Sequence, residues 1–230
     1  MATPLSAIML DAKDRADLLN NPVVGDPTWR RWANQAQERL YRLLVVKAPA
    51  RFHKSASFVL TGLGGNTVAL AADFRQLREQ GVTKDPTVPA LRRALLQFNF
   101  GARDAQGQLP AWGLGRELAY DIQAGNIVVE PASNCAGNYA YYYLAGPVPW
   151  LTDGTQDGTN IATVLEPYVD YITQWMSILG AQKDESYELV QQLKTDWGDM
   201  RDEILAEFND SSDPATIVDV DDTGGSWRRR

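Results

Sequence analysis

Asn138-Tyr139-Ala140-Tyr141-Tyr142-Tyr143-Leu144 is the stretch that decides the fold class. Aromatic residues favour a pleated, half-buried strand. The turn-rich segment 131–137 precedes this one and Gly146-Pro147 ends it. Side chains alternate along a strand, so Tyr139, Tyr141 and Tyr143 share one face and Ala140, Tyr142 and Leu144 the other. Tyrosine on both faces predicts that one face looks away from its own core and meets a neighbouring subunit. Residues 117–122 and 126–130, punctuated by Gly125-Asn126, read as two further strands. Further upstream, Ser57-Phe58-Val59-Leu60 and Thr67-Val68-Ala69-Leu70 flank Gly62-Leu63-Gly64-Gly65-Asn66 and read as a hairpin. Residues 72–80 read as a short helix or turn, 91–98 as a strand and 101–113 as a loop.

Helices lie outside this β-prone middle. Thr3-Pro4 reads as a helix start, with Leu5, Ile8, Met9 and Ala12 on one face, and Asn20-Asn21-Pro22 stops it. Asp26-Pro27 repeats the start signal. Trp29, Trp32, Ala36, Leu40 and Leu43 then recur at helical spacing to about Val46, and Pro49 ends the run. Leu165, Val169, Ile172, Met176 and Leu179 mark a third helix, expected to end at Gly180. Asp184 is expected to cap a fourth, with Tyr187, Val190, Leu193, Trp197, Met200, Ile204 and Phe208 on its buried side. The short link makes these two an antiparallel pair. The expected fold is α+β, mostly a helical bundle with a small antiparallel sheet. Its body is residues 1–209, and 210–230 form an extended carboxy-terminal arm.

Composition closes several function classes. The chain has 230 residues, 44% of them hydrophobic, enough for a sizeable core. Its net charge is -7, and its one cationic cluster is Arg228-Arg229-Arg230, so the body lacks the basic face that DNA binding by counterion release needs. One Cys and one His cannot build a structural zinc site. No run approaches the roughly 20 apolar residues of a membrane span, and residues 1–10 lack the pattern of a secretory signal.

Chemistry-bearing residues are sparse. His53 and Cys135 could form a nucleophile and base only if the fold brought them within hydrogen-bond reach, and no motif supports that pairing. Gly62-Leu63-Gly64-Gly65 precedes a β-prone run rather than a helix, so it reads as a turn and not a phosphate loop. Asp153-Gly154-Thr155-Gln156-Asp157-Gly158 alternates acids as a calcium loop does. It lacks the bidentate glutamate at the required twelfth position, so it reads as a solvated loop. No cofactor and no metal are expected.

The order of motifs resembles the head–tail adaptor proteins of tailed bacteriophages. The motifs are Trp32-Ala33-Asn34-Gln35-Ala36-Gln37, then Leu70-Ala71-Ala72-Asp73-Phe74, then Ile127-Val128-Val129-Glu130-Pro131. The tyrosine strand follows, and then Pro147-Val148-Pro149-Trp150-Leu151 and two long helices. The resemblance implies a virion structural protein, made in the host cytoplasm and placed in the neck. It implies a homo-oligomeric ring, dodecameric in that family, beneath the portal protein, with tail or neck proteins on the distal side and DNA passing unbound through the lumen. Family adaptors often dock into the portal through their carboxy termini. Here that role falls to Ile217, Val218 and Val220 as an added strand and to Trp227, Arg228, Arg229 and Arg230 as an anchor. Two other readings are another neck or tail-completion ring, which would be richer in β-structure, and an enzyme with a Cys/His site.

Overall fold

A computed structural model describes residues 3–19, 24–88, 91–98 and 118–210. Helices α1 (Leu5–Arg15) and α2 (Asp26–Lys47) open the chain, and a 3-10 turn (Pro49–Phe52) leads into the β region. There β1 (His53–Leu60), β2 (Thr67–Ala69), β3 (Phe74–Lys84), β4 (Arg93–Ala94), β5 (Leu96–Gln97), β6 (Ala119–Gln123), β7 (Asn126–Glu130) and β8 (Gly137–Ala145) follow in order. A 3-10 turn (Ala132–Asn134) links β7 to β8, and another (Glu166–Tyr168) precedes α3 (Val169–Lys183) and α4 (Tyr187–Asp210). The α+β expectation therefore holds, with more β-structure than one small sheet. Among the described residues there are two four-stranded sheets, ordered β1-β8-β3-β4 and β2-β7-β6-β5. All pairs are antiparallel except β5–β6.

Four readings are corrected. The expected hairpin does not form: β1 pairs with β8 and β2 with β7, so the glycine-rich turn passes the chain from one sheet to the other. Residues 72–80 are not helical. Phe74 enters β3, which lies between β8 and β4 and carries an irregularity between Leu77 and Val82 where Gly81 takes a positive φ of 54°. Gly180 does not end α3, which runs on to Lys183. An added Cβ at Gly180 would lie 2.6 Å from Trp29 Cη2, so this glycine permits close helix packing rather than helix termination. Finally, Tyr187 is exposed, although Val190, Leu193, Ile204 and Phe208 of the same helix are buried.

Two cores hold the body. The helical core gathers Leu5, Ile8, Met9 and Ala12 of α1, Trp29, Ala33, Ala36, Leu40 and Leu44 of α2, and Ile172 and Met176 of α3. Ile204 and Phe208 of α4 complete it. Helix α3 is the central element, buried on nearly every side. Two of its buried polar side chains find backbone partners, the Ser177 hydroxyl at the carbonyls of Thr173 and Ala12 and the Gln174 amide at that of Leu193, whereas the buried Nε1 of Trp175 has none among the described residues. The second core lies between the sheets and joins Leu60, Val82, Tyr120, Ile127, Val129, Tyr139, Tyr141 and Tyr143. Leu144, on the opposite face of β8, packs against the helical core and ties the two together.

Candidate assembly surfaces

The separated sequence motifs meet in space. The polar face of α2 carries Arg30, Asn34 and Gln37, one helical turn apart, and it grips the loop after β8. Asn34 donates to the carbonyl of Trp150 and accepts from its N–H, both at 2.8 Å. Gln37 donates to the carbonyl of Val148 at 3.3 Å. Arg30 clasps Asp157 through two short bonds, 2.7 Å from Nε and 2.6 Å from Nη2, and donates to the carbonyl of Thr152. Arg30 draws Asp157 below the usual carboxylate range, its hydrogen bonds outweighing the opposing effect of burial.

That loop also caps α1. Thr3 does not serve as the cap; Pro4 is the N-cap residue and offers no side-chain bond. The free N–H groups of Leu5 and Ser6 instead donate to the carbonyls of Thr159 and Asp157. The Asp153–Gly158 segment is thus a structural clasp. Asp153 accepts from the backbone N–H and hydroxyl of Thr155, and Asp157 is committed to Arg30. Among the described residues no group of three or more His, Cys, Asp or Glu side chains could hold a metal ion.

A second pair of motifs meets at the tyrosine strand. Asp73 accepts from the hydroxyl of Tyr143 at 2.8 Å and from Lys54 at 2.7 Å, while the N–H of Ala71 donates to the hydroxyl of Tyr141. Burial is the largest single effect on Asp73 and raises its pKa, but the bonds from Lys54 and Tyr143 together with the charge of Lys54 outweigh it and hold the carboxyl low; burial raises the pKa of Tyr143. Tyr139 donates to the carbonyl of Cys135 at 2.7 Å and stacks on Phe58. The shared face of Tyr139, Tyr141 and Tyr143 is therefore turned inward, each at most 4% exposed. An outward role on this strand narrows to Tyr142, which is half-buried and lies 6.0 Å from the guanidinium of Arg92. Sequence alternation found the shared face, but only the location of the second sheet reveals that this face is the core.

His53 and Cys135 do not meet. His53 opposes Leu144 at one end of β1, whereas Leu60 opposes Gly137, beside Cys135, at the other. Seven strand residues put these ends about 23 Å apart. Cys135 is fully buried and its thiol donates to the carbonyl of Ala132; burial pushes its pKa up, away from a reactive thiolate. No helix among the described residues is long and apolar enough to cross a membrane.

Outward, the body shows Val59 of β1 and Leu63 of the following turn, at 67% and 81% exposure. The proposed docking residues Ile217, Val218, Val220, Trp227, Arg228, Arg229 and Arg230 lie outside the described residues. No curated protein matches the chain at a significant level. A family model does: the one described as SU10 adaptor protein matches residues 5–228.

Proposed function

The chain belongs to the SU10 adaptor family, head-to-tail connector proteins of tailed phages with a structural head-completion role, and from that premise we propose how it assembles. The subunit closes as a homo-oligomeric ring, dodecameric as the resemblance implies, beneath the portal protein in the virion neck. Tail or neck proteins bind its distal side, and DNA traverses the lumen without specific binding, in keeping with a net charge of -7. Residues 1–209 are the ring body. The arm, 210–230, docks into the portal through Ile217, Val218 and Val220 as an added strand and Trp227 and Arg228–Arg230 as an anchor. One observation carries the arm's role: the family match continues to residue 228, through nearly all of this segment. A free solubility tail would have no need of a tryptophan and a run of apolar residues.

Two measurements test this. Mass measurement of the protein mixed with portal should show a complete ring added, and a chain truncated after Asn209 should bind portal at least ~100-fold more weakly, as expected when a multi-contact anchor is lost. Unchanged affinity of the truncated chain would end the docking proposal. Tyr142→Ala tests the flank: it should leave the unfolding free energy of the isolated subunit within about 1 kcal/mol of wild type and reduce ring completion on portal. Full ring completion would remove Tyr142 from the subunit interface.

A further inference from the structure

Strand β1 is the longest edge strand among the described residues. It pairs with β8 along its whole length, His53 to Leu60 in unbroken register, and its other side has no strand. In an antiparallel pair, alternate residues point their N–H and C=O groups away from the partner, so about half of these groups in β1 face outward. Proteins normally blunt such an edge with proline, a bulge or an outward lysine. β1 has no proline and no bulge, and its one lysine, Lys54, is drawn onto Asp73 at 2.7 Å. The outer side chains Ser55, Ser57 and Val59 are small or apolar and exposed. Among the described residues, no strand covers this edge and neither a proline nor a bulge blocks it, so it can receive a strand.

The fold also brings the chain's own end to this edge. Helix α4 packs its last turns beside the residues that lead into β1: Phe208 lies 4.6 Å from the guanidinium of Arg51 and beside Tyr168. Arg51 is two residues before His53, where β1 begins. The residues after Asp210 therefore start at the head of the open edge. From Asp210 to Ile217 the chain can span about 23–25 Å, and β1 is about 23 Å long, so the reach covers its whole length. Charge agrees with this path: Asp213 follows α4, and Arg51 and Arg78 flank the head of β1, Arg78 close enough to His53 to lower its pKa in addition to burial. Ile217-Val218-Asp219-Val220 is a β-prone run in the arm. Placed beside β1 with its faces alternating, Val218 and Val220 would extend the apolar rim of Phe58 and Leu60, and Ile217 and Asp219 would join Ser57 and Val59 outside.

We infer that in the undocked subunit residues 217–220 add as a strand to the free edge of β1 of their own chain. The edge is thereby closed against other copies until the arm is taken up elsewhere. The second half of the idea rests on the portal-docking reading above, because one segment cannot pair in two places; the first half does not. Portal binding would thus uncover β1 at the moment the ring forms.

The test is amide hydrogen exchange on the full-length subunit without portal, comparing wild type with Val218→Pro and, as an arm control, Ser212→Pro. Proline at 218 removes a donor and blocks the added strand. The outward amides of 54–59 should exchange at least ~10-fold faster in Val218→Pro and be unchanged in Ser212→Pro, with the helical amides of both equal to wild type. Equal β1 exchange in wild type and Val218→Pro overturns the assignment. Protection of β1 that falls on dilution, together with a doubled mass, overturns it in favour of pairing between copies. Loss of portal binding by Val218→Pro with β1 exchange unchanged would leave the docking proposal standing and remove this one.

Discussion

Trp29→Ala should lower the stability of the subunit by about 3–5 kcal/mol, the cost of emptying a well-packed indole site. The side chain is 1% exposed in the helical core and meets Trp32 edge-to-face at 5.1 Å. Total stabilities of about 5–15 kcal/mol make this a large fraction of the whole. The partner of this indole is an absence: Gly180 lets α3 lie against it. A Cβ there would come within 2.6 Å of Trp29 Cη2, 3.2 Å of Ala16 Cβ and 3.3 Å of Leu18 Cδ1. Alanine is the better helix former by about 1 kcal/mol, but all three neighbours are buried and none can swing into solvent. Overpacking of this kind costs about 1–3 kcal/mol and outweighs the propensity gain. Gly180→Ala should therefore destabilise the wild type and stabilise the Trp29→Ala variant, where the closest clash is gone and the emptied indole site lets Ala16 and Leu18 give by the few tenths of an ångström they need. A urea double-mutant cycle reads this directly. A Gly180→Ala effect of the same sign and size in both backgrounds would show that the two sites are uncoupled.

The second large effect is expected at Arg30 and Asp157. Their side chains are 8% and 30% exposed, and the two parallel bonds make this the most enclosed ion pair among those described. Arg30→Ala strands a partly buried carboxylate and the carbonyl of Thr152 and loosens the loop that caps α1. A loss of about 2–4 kcal/mol follows, toward the low end of the range for broken buried pairs because Asp157 keeps some water. Replacing both residues together by Met and Leu should cost far less, since neither charge is left alone. The pair also sets a pH dependence. Asp157 has a folded pKa below its unfolded value of about 3.9, so its contribution is complete above that value. It is lost as pH falls through the depressed folded value. The stability gap between wild type and Asp157→Asn should be flat from neutral pH down to about 5 and shrink steadily toward pH 2. A gap that stayed constant to pH 2 would show that the carboxylate's charge contributes nothing.

Helices α1 and α2 and strands β6, β7 and β8 were legible because each signal is local. Trp29, Ala36 and Leu40 repeat at helical spacing within one segment, and Tyr139, Tyr141 and Tyr143 alternate within another. The clasp of Arg30, Asn34 and Gln37 on residues 148–157 was not legible, although both motifs were recognised, because neither segment contains the other's partner atoms. Nor could the absence of a Cys/His site be decided until β1 set His53 and Cys135 at opposite ends. The order of motifs nonetheless led to the family, since shared spacing registers three-dimensional contacts without displaying them.

By itself, then, the sequence determined the α+β class, the helix faces, the shared face of the tyrosines and the kinship with phage adaptors. Tertiary structure alone decided that β1 pairs with β8 rather than β2, that Tyr139, Tyr141 and Tyr143 turn inward, and that Gly180 serves packing and not a helix end. In each case the outcome depends on which other element packs against the segment. Alternation says which side chains share a face, but which face is buried depends on what packs there. That partner lies outside the segment being read: it is β6 and β7 for the tyrosines, and α2 for the glycine.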